Sequence, residues 1–119
     1  GLSCRPLFVP AVGNFRQGML VQLPLHLDAL PGQPSAADLQ AALQAHYAAS
    51  QAQGGWVSVQ PATADAKLDA TALNDTNQLE IRVFANEEFR QAVLIARLDN
   101  LGKGASGAAV QNIQLMLGL

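Results

Sequence analysis

The sequence predicts an α+β fold, a mostly antiparallel sheet with helices packed on one face. Three observations carry that expectation. Residues 78–85 and 91–99 are alternating, strand-like runs joined by the polar stretch 86–90, the pattern of an antiparallel hairpin. Residues 35–50 and 104–117 switch to helical spacing. The elements follow the order strand, strand, helix, strand, strand, strand, helix, which lacks the regular βα alternation of a parallel fold.

Each element has its own warrant. Leu7-Phe8-Val9-Pro10-Ala11-Val12 is apolar but holds a proline, which restricts it to an edge strand or an extended entry. In residues 19–27, Val21, Leu23, Leu25 and Leu27 alternate with Gln22, Pro24 and His26, which predicts a half-buried strand near an edge. Ser35, followed by Asp38 three residues later, marks a helix start. Leu39, Ala42, Leu43 and His46 or Tyr47 then share one helical face. Gly54-Gly55 ends that region, and residues 56–61 form a short strand. Residues 62–77 are polar and alanine-rich and set no clear element. In the hairpin, Leu79, Ile81 and Val83 fall on one face. The last helix carries Val110, Ile113 and Leu117 as apolar markers.

Composition bounds the function. Half of the 119 residues are hydrophobic, 13% are charged and 5% are aromatic, so the chain can bury a core built from small aliphatic side chains. So little charge also suggests apolar surface covered by another body. A net charge of −2 argues against a nucleic-acid partner. No run is long and apolar enough for a membrane span. The start at Gly1, with no initiator methionine or signal-peptide pattern, suggests a piece of a longer chain. The single cysteine, Cys4, in a Ser3-Cys4-Arg5-Pro6 turn, fits a reducing, cytoplasmic setting. It reads as incidental rather than as a nucleophile.

The most informative stretch is Asp99-Asn100-Leu101-Gly102-Lys103-Gly104-Ala105-Ser106-Gly107-Ala108-Ala109-Val110-Gln111-Asn112. Gly102, Gly104 and Gly107 match the spacing G-x-G-x-x-G between a strand and a helix. A complete dinucleotide-binding unit needs a further strand and an acidic residue about 20 positions on. Only 12 residues follow Gly107. What remains is a glycine-rich corner whose amides and Lys103 can face an anion. Arg16, in the loop Gly13-Asn14-Phe15-Arg16-Gln17-Gly18, is a second candidate anion contact. His26 and His46 have no partner at metal or catalytic spacing, and Glu87-Glu88 reads as a solvated hairpin tip. No metal cluster and no catalytic set can be assembled.

These residues carry a family resemblance. The glycine-rich stretch resembles the "DNLxKGAxGxAVQN" tail of N-acetyl-γ-glutamyl-phosphate reductases, and aspartate-semialdehyde dehydrogenases share a looser version. Phe8-Val9-Pro10-Ala11-Val12-Gly13-Asn14-Phe15-Arg16-Gln17-Gly18-Met19-Leu20 is similar to the reductase segment that runs from "F-x-P" through an arginine-glycine loop into a long strand. Ala72-Leu73-Asn74-Asp75-Thr76-Asn77-Gln78-Leu79-Glu80-Ile81 is similar to its "GTNxxxI" strand entry.

The resemblance implies a cytoplasmic enzyme of arginine biosynthesis that reduces N-acetyl-γ-glutamyl phosphate with NADPH. A cysteine nucleophile and a histidine acid/base belong to that chemistry, and NADP sits mainly in a Rossmann domain absent from this chain. The implied fold is the glyceraldehyde-3-phosphate dehydrogenase-like C-terminal domain. Residues 1–103 would be a partial substrate and dimerisation domain. Residues 104–119 would be a closing helix that packs on the missing Rossmann domain, with the face of Val110, Ile113 and Leu117 uncovered without it. The implied partners are a small-molecule substrate, that domain and a second copy of the chain, with no nucleic acid and no membrane. Asn100, Lys103 and Gly104 match the cofactor-facing tail, and Arg16 matches the loop near substrate. The family's "N-P-G-C-Y-x-T" and "H-x-H-x-P-E" motifs do not occur, and Ala11 stands where histidine is common. No catalytic residue is therefore expected here, nor reductase activity from these residues alone. The alternatives are a piece of an aspartate-semialdehyde dehydrogenase and a non-catalytic oligomerisation module.

Overall fold

The computed structural model describes residues 4–52 and 54–119. Its strands are β1 (Met19–His26), β2 (Val57–Val59), β3 (Leu79–Asn86) and β4 (Gln91–Leu98), and its helices are α1 (Ala36–Ala52) and α2 (Gly107–Leu117). They form one four-stranded sheet in the order β1-β4-β3-β2. β4 pairs antiparallel with both β1 and β3, while β2 runs parallel to β3. The α+β architecture expected from the sequence is the one observed.

The topology follows from the connections. β3 and β4 meet through the tight turn 87–90, where Asn86 Oδ1 accepts the Phe89 amide at 3.2 Å and Arg90 takes a left-handed φ of 50°. β1 and β2 lie at opposite edges, so the chain between them must cross the sheet, and α1 is that crossover. Ser35 and Asp38 start α1 as a reciprocal box. The Asp38 amide donates to Ser35 Oγ at 3.1 Å, and the Ser35 amide donates to Asp38 Oδ2 at 2.9 Å. The hydrogen bonds from Ser35 hold the Asp38 carboxyl below its ordinary value.

α1 lays Leu39 and Leu43 on the face that carries Leu27, Val83, Ala92 and Leu94. Leu27 is fully buried in a short 3-10 turn, Leu27–Ala29, that follows β1. The register puts Leu23, Leu94 and Val83 side by side, as the alternation predicts. Coverage is uneven, however. α1 packs over β2 and β3, so Val21 and Leu23 on edge strand β1 remain about half exposed. β1 is at an edge as expected, and the expectation of a half-buried strand is corrected, because its apolar face is largely open.

Two further expectations change. Residues 7–12 form no strand: of the edge strand and the extended entry expected there, the strand is corrected, and the segment is fully exposed. Pro10 removes a ladder donor, and the segment makes no pairing with the sheet. α2 does not join α1 on the sheet. It packs on the turn that precedes it, so only one of the two helices covers a sheet face. Ile113 is 56% exposed, and Val110 and Leu117 are similarly open. The expected turn at Ser3–Pro6 begins outside the described residues, and Cys4 is free and exposed.

Segment 60–78 crosses the sheet on the face away from α1. There Arg97 donates to Asp69 O at 3.1 Å and Arg82 donates to Pro61 O. Both guanidiniums also bind Glu80 Oε1, at 2.7 and 2.8 Å, with all three side chains largely buried. Burial pushes the Glu80 carboxyl up, and the two arginines outweigh it and hold it below its ordinary value.

Candidate functional site

The site begins where β4 ends. Asp99 is 2% exposed, and a buried carboxylate is tolerable only when hydrogen-bonded. Its Oδ1 accepts the Leu101 amide at 2.8 Å, and its Oδ2 accepts the Asp75 amide at 2.8 Å and Gln17 Nε2 at 3.0 Å. The Gly102 amide is a further donor. Burial pushes the Asp99 carboxyl up. The amides of Asp75, Gly102 and Leu101, with the nearby Arg16 charge, outweigh that and hold it below the usual carboxylate range.

The chain then winds through a π-helical turn, Gly102–Ser106, into α2. The Gly104 amide donates to Asp99 O at 2.8 Å, and Ser106 Oγ donates to Leu101 O at 3.0 Å. The glycines here serve close approach rather than unusual backbone angles. A Cβ on Gly102 would come within 2.9 Å of Thr76 O, and one on Gly107 would strike Asn77 Oδ1.

Two other segments close on this corner. From the loop before β1, Gln17 is 5% exposed, in contrast to residues 4–16, all of which are exposed. Its Nε2 also donates to Asp75 Oδ1 at 2.9 Å, and its carbonyl accepts Asn74 Nδ2 at 3.1 Å. Next to it, the Gly18 amide donates to Asn100 Oδ1 at 2.8 Å. Gly18 has a φ of 113°, which favours glycine, and a Cβ there would collide with Ala70 O. From segment 60–78, Asp75 sits in the left-handed region at φ 60°. Asn74 Oδ1 and Asn77 Oδ1 are buried without a hydrogen-bond partner among the described residues. The three segments frame an open cavity of about 360 Å³ lined by Gln17, Asp75, Asn77, Asp99, Gly102 and Gly107, among others.

The residues singled out in the sequence distribute as follows. The Arg16 loop and Asn100, 84 positions apart in the chain, are joined by the Gly18–Asn100 and Gln17–Asp99 bonds. Arg16 itself is exposed, 4.0 Å from Asp75 Oδ1, a distance at which a surface pair contributes little. Lys103 Nζ donates to Gln111 Oε1 at 2.5 Å, against the first turns of α2. Gly104 is exposed, and none of Arg16, Asn100, Lys103 and Gly104 lines the cavity. Cys4, His26 and His46 are exposed and do not line the cavity. Among the described residues no group of three or more His, Cys, Asp or Glu is placed to hold a metal ion. No helix there is long and apolar enough to cross a membrane.

The corner's chemistry differs from the sequence expectation in one respect. The Leu101 and Gly102 amides, expected to face an outside anion, already face an internal one, the Asp99 carboxylate. Gln17, Asp75, Asn74 and Asn77 were not among the expected site residues. The cluster Asn74-Asp75-Thr76-Asn77 is a turn signal in the sequence, but nothing in the spacing tells that the turn ends against Asp99.

A family model described as semialdehyde dehydrogenase, dimerisation domain, matches residues 1–100. Among curated proteins, an N-acetyl-gamma-glutamyl-phosphate reductase 2 from Nostoc sp. is 49% identical and covers 100% of the chain. One of the same name from Pseudomonas putida is 51% identical over 99% of the chain, and an N-acetyl-gamma-glutamyl-phosphate reductase from Mesorhizobium japonicum is 50% identical over 99%. The chain spans 37–39% of the length of these relatives.

Proposed function

This chain belongs to the semialdehyde dehydrogenase dimerisation-domain family, and from that premise we propose that it is the substrate-side, oligomer-forming part of an N-acetyl-γ-glutamyl-phosphate reductase. The observation that carries the proposal is identity of 49–51% to reductases of that name along essentially the whole chain. Their shared name favours this reading over the aspartate-semialdehyde alternative. The reaction is then NADPH-dependent reduction of the acyl phosphate to the semialdehyde, in arginine biosynthesis and in the cytoplasm, with the nucleophile and acid/base outside these residues.

The glycine-rich corner beside the cavity is the cofactor edge in this proposal. Asn100 commits its Oδ1 to Gly18 and keeps its Nδ2 for a second partner, which fits an amide-bearing ring approaching from outside. Lys103, steadied by Gln111, and the exposed Gly104 complete that edge. Bound NADPH supplies the hydride. Arg16, free to reach outward, meets the anionic substrate.

Two surfaces take partners in this reading. The open face of α2 and the extended segment 7–12 receive the nucleotide-binding domain. The sheet face opposite α1 has Pro24, Val93 and Phe84 in register beside the paired Glu80, Arg82 and Arg97. Segment 60–78 already covers the charged part of this face, and the part around Pro24, Val93 and Phe84 takes a second copy in this reading.

The test is turnover. The polypeptide that joins this chain to a nucleotide-binding domain and to the residues carrying the nucleophile and acid/base should oxidise NADPH in the presence of N-acetyl-γ-glutamyl phosphate, followed by loss of reduced-nicotinamide absorbance. The 119 residues alone should not. Turnover by the 119 residues alone, or none by the joined polypeptide, overturns the proposal.

A further inference from the structure

We infer that Gln17 is a positioning residue, the latch that sets Arg16 relative to Asn100. The inference rests on the roles given to those two residues above. Its geometry stands independently of them.

Gln17 is the first buried side chain after a long exposed segment. Both hydrogens of its amide are used, one on Asp75 and one on Asp99, so a single neutral group spans two carboxylates. Without it the two acids would face each other with only the exposed Arg16 as counter-charge, 4.0 Å from Asp75. The residue before Gln17 is the outward-reaching arginine. The residue after it donates its backbone amide to Asn100. Asn74 Nδ2 holds the Gln17 carbonyl, so the peptide is fixed from the loop side as well. Three consecutive residues thus do three jobs: Arg16 faces outward, Gln17 anchors, and Gly18 grips Asn100. Asn100 is itself steadied from its other side, because Asp99 collects the amides of Leu101 and Gly102. Loss of the latch therefore displaces the Arg16 side and leaves the corner in place.

The first test is made on the 119-residue chain, by amide hydrogen exchange read at Gly18. Gln17→Ala should accelerate exchange at Gly18 at least tenfold, while amides in the β3–β4 hairpin change less than twofold. Asn100→Ala should accelerate Gly18 by a similar factor, and the double variant should be no faster than either single one, because both act on one bond. Gln17→Lys, whose ammonium can reach both carboxylates, should restore protection to within threefold of wild type. Unchanged Gly18 exchange in Gln17→Ala overturns the latch, as does fully multiplicative acceleration in the double variant. Equal acceleration throughout the hairpin shows general destabilisation and also overturns it.

The second test uses the polypeptide joined to its nucleotide-binding domain. Gln17→Ala should raise KM for the acyl phosphate fivefold or more and leave KM for NADPH within twofold. An equal rise in both, or no rise in either, overturns the positioning role. If wild type turns over no acyl phosphate, the proposed function fails, while the exchange experiment still decides the latch.

Discussion

Alanine at Gly107 gives the most direct test of how the corner is packed. Its backbone angles, φ −62° and ψ −42°, are helical, so on propensity alone Gly107→Ala should stabilise α2 by about 1 kcal/mol. The new Cβ has no room. It meets Asn77 Oδ1 and lies 2.9 and 3.0 Å from the Gly102 carbonyl oxygen and carbon. Two of those three atoms are backbone and cannot swing away. Forced repacking of this kind costs about 1–3 kcal/mol. With the upper part of that range set against the propensity gain, the net is a loss of about 2 kcal/mol. Gly104→Ala is the control. Its Cβ lies 3.3 Å from Leu98 Cδ1, the end of a flexible side chain, and 3.4 Å from Asp99 O. It should fall between neutral and about 1 kcal/mol more stable. Denaturant unfolding followed by far-ultraviolet circular dichroism reads both as shifts of midpoint at constant slope. A Gly107→Ala midpoint at or above wild type would refute the reasoning, because the corner would then have slack that the geometry denies.

Leu27→Ala should cost about 3 kcal/mol, read in the same unfolding assay, since Leu27 is fully buried in the small cluster under α1. Ser35→Ala should cost about 1 kcal/mol by opening the box at the start of α1. Ile113→Glu should leave the stability of the 119 residues within about 0.5 kcal/mol, because the side chain is open to solvent. The same change should abolish docking to a nucleotide-binding domain, measured by co-elution. Stability should fall on acidification: Asp99 and Glu80 are held below their ordinary values, so the stability they contribute is present above the unfolded carboxylate range and lost as pH drops through the folded values. Asp99→Asn should flatten that acid limb in a pH series of unfolding midpoints, and an unchanged limb would count against the Asp99 assignment.

Local patterns made part of this molecule legible. The hairpin, the alternation of Leu79, Ile81 and Val83, and the Ser35–Asp38 start all depend on near neighbours, and a linear chain displays those. The open state of β1 was not legible, because alternation says which residues share a face and nothing about whether a helix reaches that far. Residues 7–12 are greasy enough for a strand, yet pairing needs a sheet edge that receives them. The corner was conspicuous in composition, and its partner was not. Gln17 and Asp75 meet Asp99 through contacts between remote parts of the chain, and no periodicity announces such a meeting. The sequence also suggested amides waiting for an anion, whereas the anion was already present one residue before Asn100.

The pairing of the first strand with the last has a consequence for how the site comes into being. Met19 lies beside Leu98, whereas β3 and β4 are joined by a four-residue turn, so the hairpin can form early and β1 must close the longest loop in the sheet. The Gln17–Asp99 and Gly18–Asn100 bonds lie at the mouth of that late ladder. The wall that Gln17 gives the cavity therefore forms only once that closure is complete. It is also the first thing lost when the edge strand peels away, while the hairpin beneath α1 stays formed. An intact Gln17 wall is thus a reporter of finished folding.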